Sequence, residues 1–186
     1  MFIKILTKEY KGEKKAYIEN LKYFFVPDSV VRTLGLESGK YDFINDVMSS
    51  DFERLRKNDD LVLSLGDEAG SFVLLFNKRG PLAKNQYIRN AVNTALDLNG
   101  VMRSCYGAEG YTMNPSYMEE WQKTWLVDGL EKYHNINDKN KAKKILEEND
   151  YSNEVFTILS SNLSNMDKSA LFIKSELEKI GMKVEV

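Results

Sequence analysis

One histidine and one cysteine in 186 residues leave this sequence short of the side chains that soft metals and redox chemistry need. His134 and Cys105 have no second soft ligand near them, so a structural zinc site lacks donors and no disulfide can close within the chain. Cys105 is expected as a small buried hydrophobe and His134 as a loop or surface residue. Long apolar runs are lacking as well: none approaches the roughly 20 residues that cross a bilayer. The opening Met1-Phe2-Ile3-Lys4-Ile5-Leu6 has no basic flank, long apolar stretch or small-residue cleavage site, so it does not read as a secretory signal. The expectation is a soluble chain, either cytoplasmic or with a signal removed. Charge of one sign is also missing: 26 Lys and Arg against 28 Asp and Glu give a net charge of −2. With no positive field to gather phosphates, nucleic acid is not expected as a partner.

Catalytic signatures are equally scarce. There is no G-x-S-x-G and no G-x-G-x-x-G. Gly35-Leu36-Glu37-Ser38-Gly39-Lys40-Tyr41 brushes against a phosphate-binding loop, but its glycines stand one residue too close and Tyr41 replaces the magnesium-binding hydroxyl. Asp42, Asp46, Asp51, Asp59 and Asp60 lack apolar surroundings that would raise a pKa and make one of them an acid. The lysines from Lys139 to Lys144 match a solvated helix face. No catalytic residue, cofactor or metal is assigned, and the chain is not expected to be an enzyme.

What is present is a mixed α/β pattern. Strands are expected at Phe2 to Leu6 and at the aromatic, β-branched stretch Tyr17 to Val26. Pro27-Asp28-Ser29 starts a short helix bearing Val30, Val31, Leu34 and Leu36, ended near Ser38-Gly39. A short strand is expected at Tyr41 to Ile44, a helix capped by Ser49 or Ser50 through Phe52 and Leu55, and alternation from Leu61 to Leu65. After a turn at Gly66 to Gly70, the continuous apolar run Ser71 to Phe76 reads as a buried strand. Ile88, Ala91, Val92, Ala95 and Leu96 then form one face of a helix capped near Asn85, and a short helix follows from Asn99 to Cys105. Asp138 caps a helix with Ala142, Ile145 and Leu146 inside. Val155 to Leu159 is a strand, and Met166, Ala170, Ile173, Leu177 and Ile180 repeat along a helix closed by Gly181. Met182 to Val186 returns to strict alternation.

Between these elements, Tyr106 to Tyr133 loses periodicity. A loop this long in a compact domain has a task or packs on itself. Its glycines let a ligand approach backbone, while tyrosine and Trp121 and Trp125 offer stiff surfaces with polar tips. The plainer reading, in which these rings only pack the loop down, stays open beside the recognition one.

Several segments together resemble a known family. Thr7-Lys8-Glu9-Tyr10 with Gly12-Glu13-Lys14-Lys15 is similar to N-P-x-Y-W-G-x-K-P, and Leu36 to Asp42 to L-x-S-G-E-x-D. Leu75-Phe76-Asn77, Gly80-Pro81-Leu82, Tyr87 to Ala91 and Ala95-Leu96-Asp97 resemble F-N, P-P-F and V-R-x-A-x-x-x-A-x-D-R. Asp138 to Leu146 resembles D-x-x-K-A-K-x-L-L, and Leu177 to Glu185 L-x-K-I-G-I-x-V-E. In this order the pieces resemble the solute-binding proteins of peptide ABC importers, the oligopeptide, dipeptide and nickel-binding family. Departures mark a divergent member: Asn and Pro are missing before Tyr10, Leu98 stands in place of arginine, and Asp150 precedes Tyr151 in place of glycine.

The resemblance implies an internal fragment of a two-lobed, type II periplasmic-binding-protein-like α/β fold, with a mixed sheet. Residues 1–70 would belong to the first lobe and 71–186 to an incomplete second, peptide-binding lobe. It implies a substrate-binding component that takes short peptides outside the cytoplasm and delivers them to ABC permease subunits. Attachment to the membrane would come through a signal or lipoprotein anchor missing from this chain. Leu75, Tyr106 and Gly107, with Tyr111 and Met113, would face the ligand, whereas Arg89 and Asp97 would serve as structural ion-pair and capping residues. A nickel or metal-chelate binder of the same family and a stand-alone cytoplasmic interaction domain are the alternatives.

Overall fold

The computed structural model describes residues 2–6, 13, 17–18, 20–66, 71–118, 122–161 and 165–186. Thr7 to Gly12, Lys14, Lys15, the turn residues Asp67 to Gly70 and Trp121 therefore lie outside the described residues. Contacts divide the chain into two units, Met1–Val47 and Met48–Val186.

In the first unit, strand β1 (Phe2–Leu6) pairs antiparallel with β2 (Asn20–Phe24), in the register Phe2 to Phe24 and Leu6 to Asn20. The second strand is shorter than the aromatic run that suggested it: Tyr17, Ile18 and Phe25 fall outside the ladder and are exposed. Helix α1 (Ser29–Glu37) begins where the sequence says, with Asp28 Oδ1 accepting the Val31 N–H at 2.9 Å. Arg32 fastens the entry by donating to the carbonyls of Val26 and Pro27 at 2.8 and 2.9 Å and of Asp46 at 3.1 Å. The strand expected at Tyr41 to Ile44 is absent. Instead the Lys40 and Tyr41 amides bond the Gly35 carbonyl, and the Tyr41 ring lies where a Cβ on Gly35 would come within 2.5 Å. A local backbone turn has satisfied these amides in place of a ladder.

The second unit carries the hydrophobic core. Helix α3 (Gln86–Ala95) buries Ile88, Ala91, Val92 and Ala95, the face its spacing predicts, although Asn85 makes no side-chain cap. Helix α4 (Leu98–Tyr106) follows directly, and α5 (Lys139–Glu147) is capped by Asp138 Oδ1, which accepts the Lys141 N–H at 2.8 Å. Strand β3 (Val155–Thr157), helix α6 (Met166–Glu178) and strand β4 (Lys183–Glu185) form a β-α-β unit whose strands pair in parallel. Phe156 and Val184 face the core between exposed neighbours, the half-buried alternation expected of such strands. Gly181, at φ +87°, takes the left-handed turn that closes α6. Helix α3 packs on α5, and α4 on α6. Gly100 permits the latter approach, since a Cβ there would stand 2.3 Å from the Phe172 ring.

Two expectations need correction here. Ser71 to Phe76 is extended but joins no ladder among the described residues, and it is not a fully buried strand. Phe72, Leu74 and Phe76 lean on the core while Val73 and Leu75 face outward, because one side of the segment has packing to meet and the other has none described. Ser49 and Ser50 open a single 3-10 turn leading into α2 (Phe52–Arg56) without either serving as its cap. Phe52 and Leu55 are buried there as their spacing predicts.

Candidate functional site

Tyr106 and Gly107 stand at the end of α4, and Tyr111 and Met113 follow them along the chain. Ser169 Oγ, on α6, donates to the Val101 carbonyl at 3.3 Å, and Asn165 Nδ2 donates to the Cys105 carbonyl at 3.2 Å. These bonds pin the middle and the end of α4 to the start of α6. Cys105 is buried in the same seam, and burial pushes its thiol pKa up. Beside it, the half-buried Tyr106 meets Phe72 edge to face, with ring centroids 6.3 Å apart. Thus the helix end and the Ser71 to Phe76 segment are in contact.

Gly107 then turns the chain at φ +77°, ψ −145°, a region open essentially only to glycine. A Cβ there would lie 3.1 Å from Ser49 Oγ. Tyr111 and Met113 follow, both half-buried, in a stretch without helix or strand. The loop closes through its own short polar side chains: Asn114 Oδ1 accepts from the Ser116 amide at 2.9 Å, Asn114 Nδ2 donates to the Met118 carbonyl at 3.0 Å, and Ser116 Oγ accepts from the Met118 amide at 2.9 Å. Ser71 Oγ donates to the Tyr117 carbonyl at 3.3 Å, which ties the loop to the extended segment a second time.

Leu75 is placed differently. Alternation puts Phe72 and Leu74 inward and leaves the Leu75 side chain 85% exposed. Tyr106 and Gly107 thus end α4, Tyr111 and Met113 lie in the loop that follows, and Leu75 is exposed on the segment whose Phe72 meets Tyr106. Arg89 Nη1 donates to the carbonyls of Ala83 and Lys84 at 2.8 and 2.9 Å and joins no ion pair among the described residues, while Asp97 stands at the N-cap position of α4 without a side-chain cap bond, only its carbonyl accepting from Val101. A depression of about 160 Å³, bordered by Leu146, Tyr151 and Ile180, lies away from this loop. It is smaller than the roughly 300–1,000 Å³ of ordinary ligand pockets.

Sequence reasoning missed Phe72, Ser71, Glu109 and the partners the loop meets at Ser49, Phe52 and Arg56. Asn114-Pro115-Ser116 carries a turn signal that could have located the loop's closure. Nothing in the linear order announces a contact between Arg56 and Glu109. Among the described residues, no cluster of three or more His, Cys, Asp or Glu is placed to hold a metal ion. No helix of the described residues is long and apolar enough to cross a membrane.

The fold is that of the type II periplasmic binding proteins, of which the chain covers a part. Residues 7–186 match the family described as bacterial extracellular solute-binding proteins, family 5 middle, and the chain belongs to that family. It is 25% identical over 202 residues to the oligopeptide-binding protein AppA of Bacillus subtilis, covering 99% of this chain and 36% of AppA. Among solved structures it is similar to the ABC transporter-associated periplasmic binding protein DppA of Helicobacter pylori in complex with the peptide STSA. That match has 26% identity and a TM-score of 0.72, covering 99% of this chain and 35% of DppA. It is also similar to NikZ of Campylobacter jejuni in complex with Ni(L-His), at 17% identity and a TM-score of 0.81, covering 100% of this chain and 39% of NikZ. The chain thus spans well under half the length of these relatives.

Proposed function

We propose that this chain is part of the substrate-binding component of an ABC importer that takes short peptides outside the cytoplasm and passes them to a membrane permease. In this reading residues 1–70 belong to the first lobe and 71–186 to the second. The observation that carries it is the meeting of an extended, unladdered segment, Ser71 to Phe76, with a glycine-turned aromatic loop beginning at Tyr106. Backbone groups that join no ladder among the described residues can bond a peptide's main chain, which any peptide supplies, and so bind without reading side chains closely. Tyr106, Tyr111 and Met113 offer stiff or adaptable apolar surface beside it, Gly107 lets the ligand approach, and Leu75 offers an uncharged contact where an acidic side chain would select for ligand charge. The likeness to peptide-binding AppA and DppA supports the choice of ligand.

Calorimetric titration of a full-length protein carrying this sequence tests the proposal. Short peptides of unrelated composition should bind with similar affinities, and Ni(L-His) should give no heat. Heat from the nickel complex with none from the peptides would replace the proposal with the metal-chelate reading.

A further inference from the structure

The loop that begins at Gly107 rests on one short helical stretch. Ser49 Oγ would lie 3.1 Å from a Cβ at Gly107, and the Phe52 ring would lie 3.9 Å from one at Gly110. Between these two contacts, Arg56 donates from Nη1 and Nη2 to both carboxylate oxygens of Glu109, at 2.6 and 3.1 Å. The guanidinium also lies over the Phe52 ring, 5.8 Å from its centroid. An arginine stacked on a buried ring has fewer orientations to lose, and the two-pronged geometry fixes the carboxylate's angle as well as its distance. Both partners are exposed, so salt reaches the pair.

We infer that Arg56 and Glu109 form a positioning pair, which sets the Gly107 to Met113 stretch in the shape that receives a peptide and makes peptide affinity sensitive to ionic strength. The inference rests on the proposed reading that this loop faces the ligand. Neither residue touches the ligand. Their role is to reduce the ordering that the loop must undergo on binding. Glu109 has Gly107 and Gly110 as near neighbours, so without the tether little in the local backbone holds its place.

The test uses Arg56→Glu, Glu109→Arg and the doubly exchanged protein, with peptide titrations at low and high salt and amide resonances of Gly107 and Gly110 as a second readout. Each single change should broaden or shift those resonances and weaken peptide binding about two- to fivefold at low salt, the range of an exposed ion pair. The double exchange should restore both, and high salt should shrink the difference between wild type and single variants. Unchanged resonances in both single variants would overturn the inference, as would altered resonances with unchanged peptide affinity. If the wild-type protein binds no peptide, the proposed function fails by itself, and the resonances alone then decide whether the pair orders the loop.

Discussion

Helices α1 and α3 are of similar length and both carry apolar residues at helical spacing, yet they treat them in opposite ways. Helix α3 buries Ile88, Ala91, Val92 and Ala95, with Ile88 and both alanines at 0% exposure. Helix α1 buries Thr33 and Gly35 and leaves Val30, Val31 and Leu34 about half exposed. Thr33 is satisfied internally, its hydroxyl donating to the Ser29 carbonyl at 3.1 Å. An apolar stripe reports a tendency to be covered, and the cover must come from elsewhere in the chain. In the larger unit α5, α6 and the β3–β4 pair supply it; among the described residues of the smaller unit nothing covers the α1 stripe.

The sharpest way to break this comparison is truncation. Ile88→Ala should destabilise the Met48–Val186 unit by about 2–5 kcal/mol in denaturant unfolding, whereas Leu34→Ala should cost under about 0.5 kcal/mol. Equal losses would mean that the α1 stripe is covered after all. The glycines give a second, smaller contrast. Gly107→Ala must hold a side chain in a glycine-only conformation and against Ser49, and should cost about 1–3 kcal/mol. Gly39→Ala has a positive φ but meets no atom within 4 Å, so its loss should be smaller when the two are measured side by side.

A third contrast is electrostatic. Glu176 is 3% exposed on α6 and pairs with Lys139 and Lys179. Burial alone would raise its pKa, but the hydrogen bonds and charges of Lys139 and Lys179 outweigh it and hold the carboxyl below its ordinary value of 4.5. A carboxylate with a lowered folded-state pKa stabilises fully above its unfolded value, and that contribution is lost as pH falls through the folded one. Glu176→Gln should therefore destabilise the larger unit by about 1–2 kcal/mol at neutral pH, with the gap from wild type closing on acidification below about pH 4. A gap that persisted unchanged into acid would assign the effect to packing in place of charge.

These contrasts also mark what could be read from the linear order. Some local signals were faithful: Asp28 and Asp138 cap the helices they precede, Gly181 closes α6, and the α3 face follows from spacing alone, whereas Asn85, Ser49 and Ser50 make no side-chain cap. The larger failure, at Ser71 to Phe76, depended on distant partners. The Ser71 to Phe76 run looked buried because it is uniformly apolar, but burial on both faces needs neighbours that no local pattern reveals. Tyr41 looked like a strand residue and instead fills the space that Gly35 leaves. At the candidate site, Tyr106, Gly107, Tyr111 and Met113 were legible as a glycine-rich aromatic loop. Its seat was not, because Arg56 and Glu109 are 53 residues apart and meet only through the packing of α2.

In the proposed function, Ser71 to Phe76 and the loop from Tyr106 grip a peptide by its main chain. Hydrogen–deuterium exchange of a full-length protein carrying this sequence, with and without short peptides, tests it most directly. Backbone amides in residues 71–76 and 106–113 should slow on peptide addition, and by similar amounts for peptides with unrelated side chains. Peptide binding that left exchange in both segments unchanged would contradict the claim.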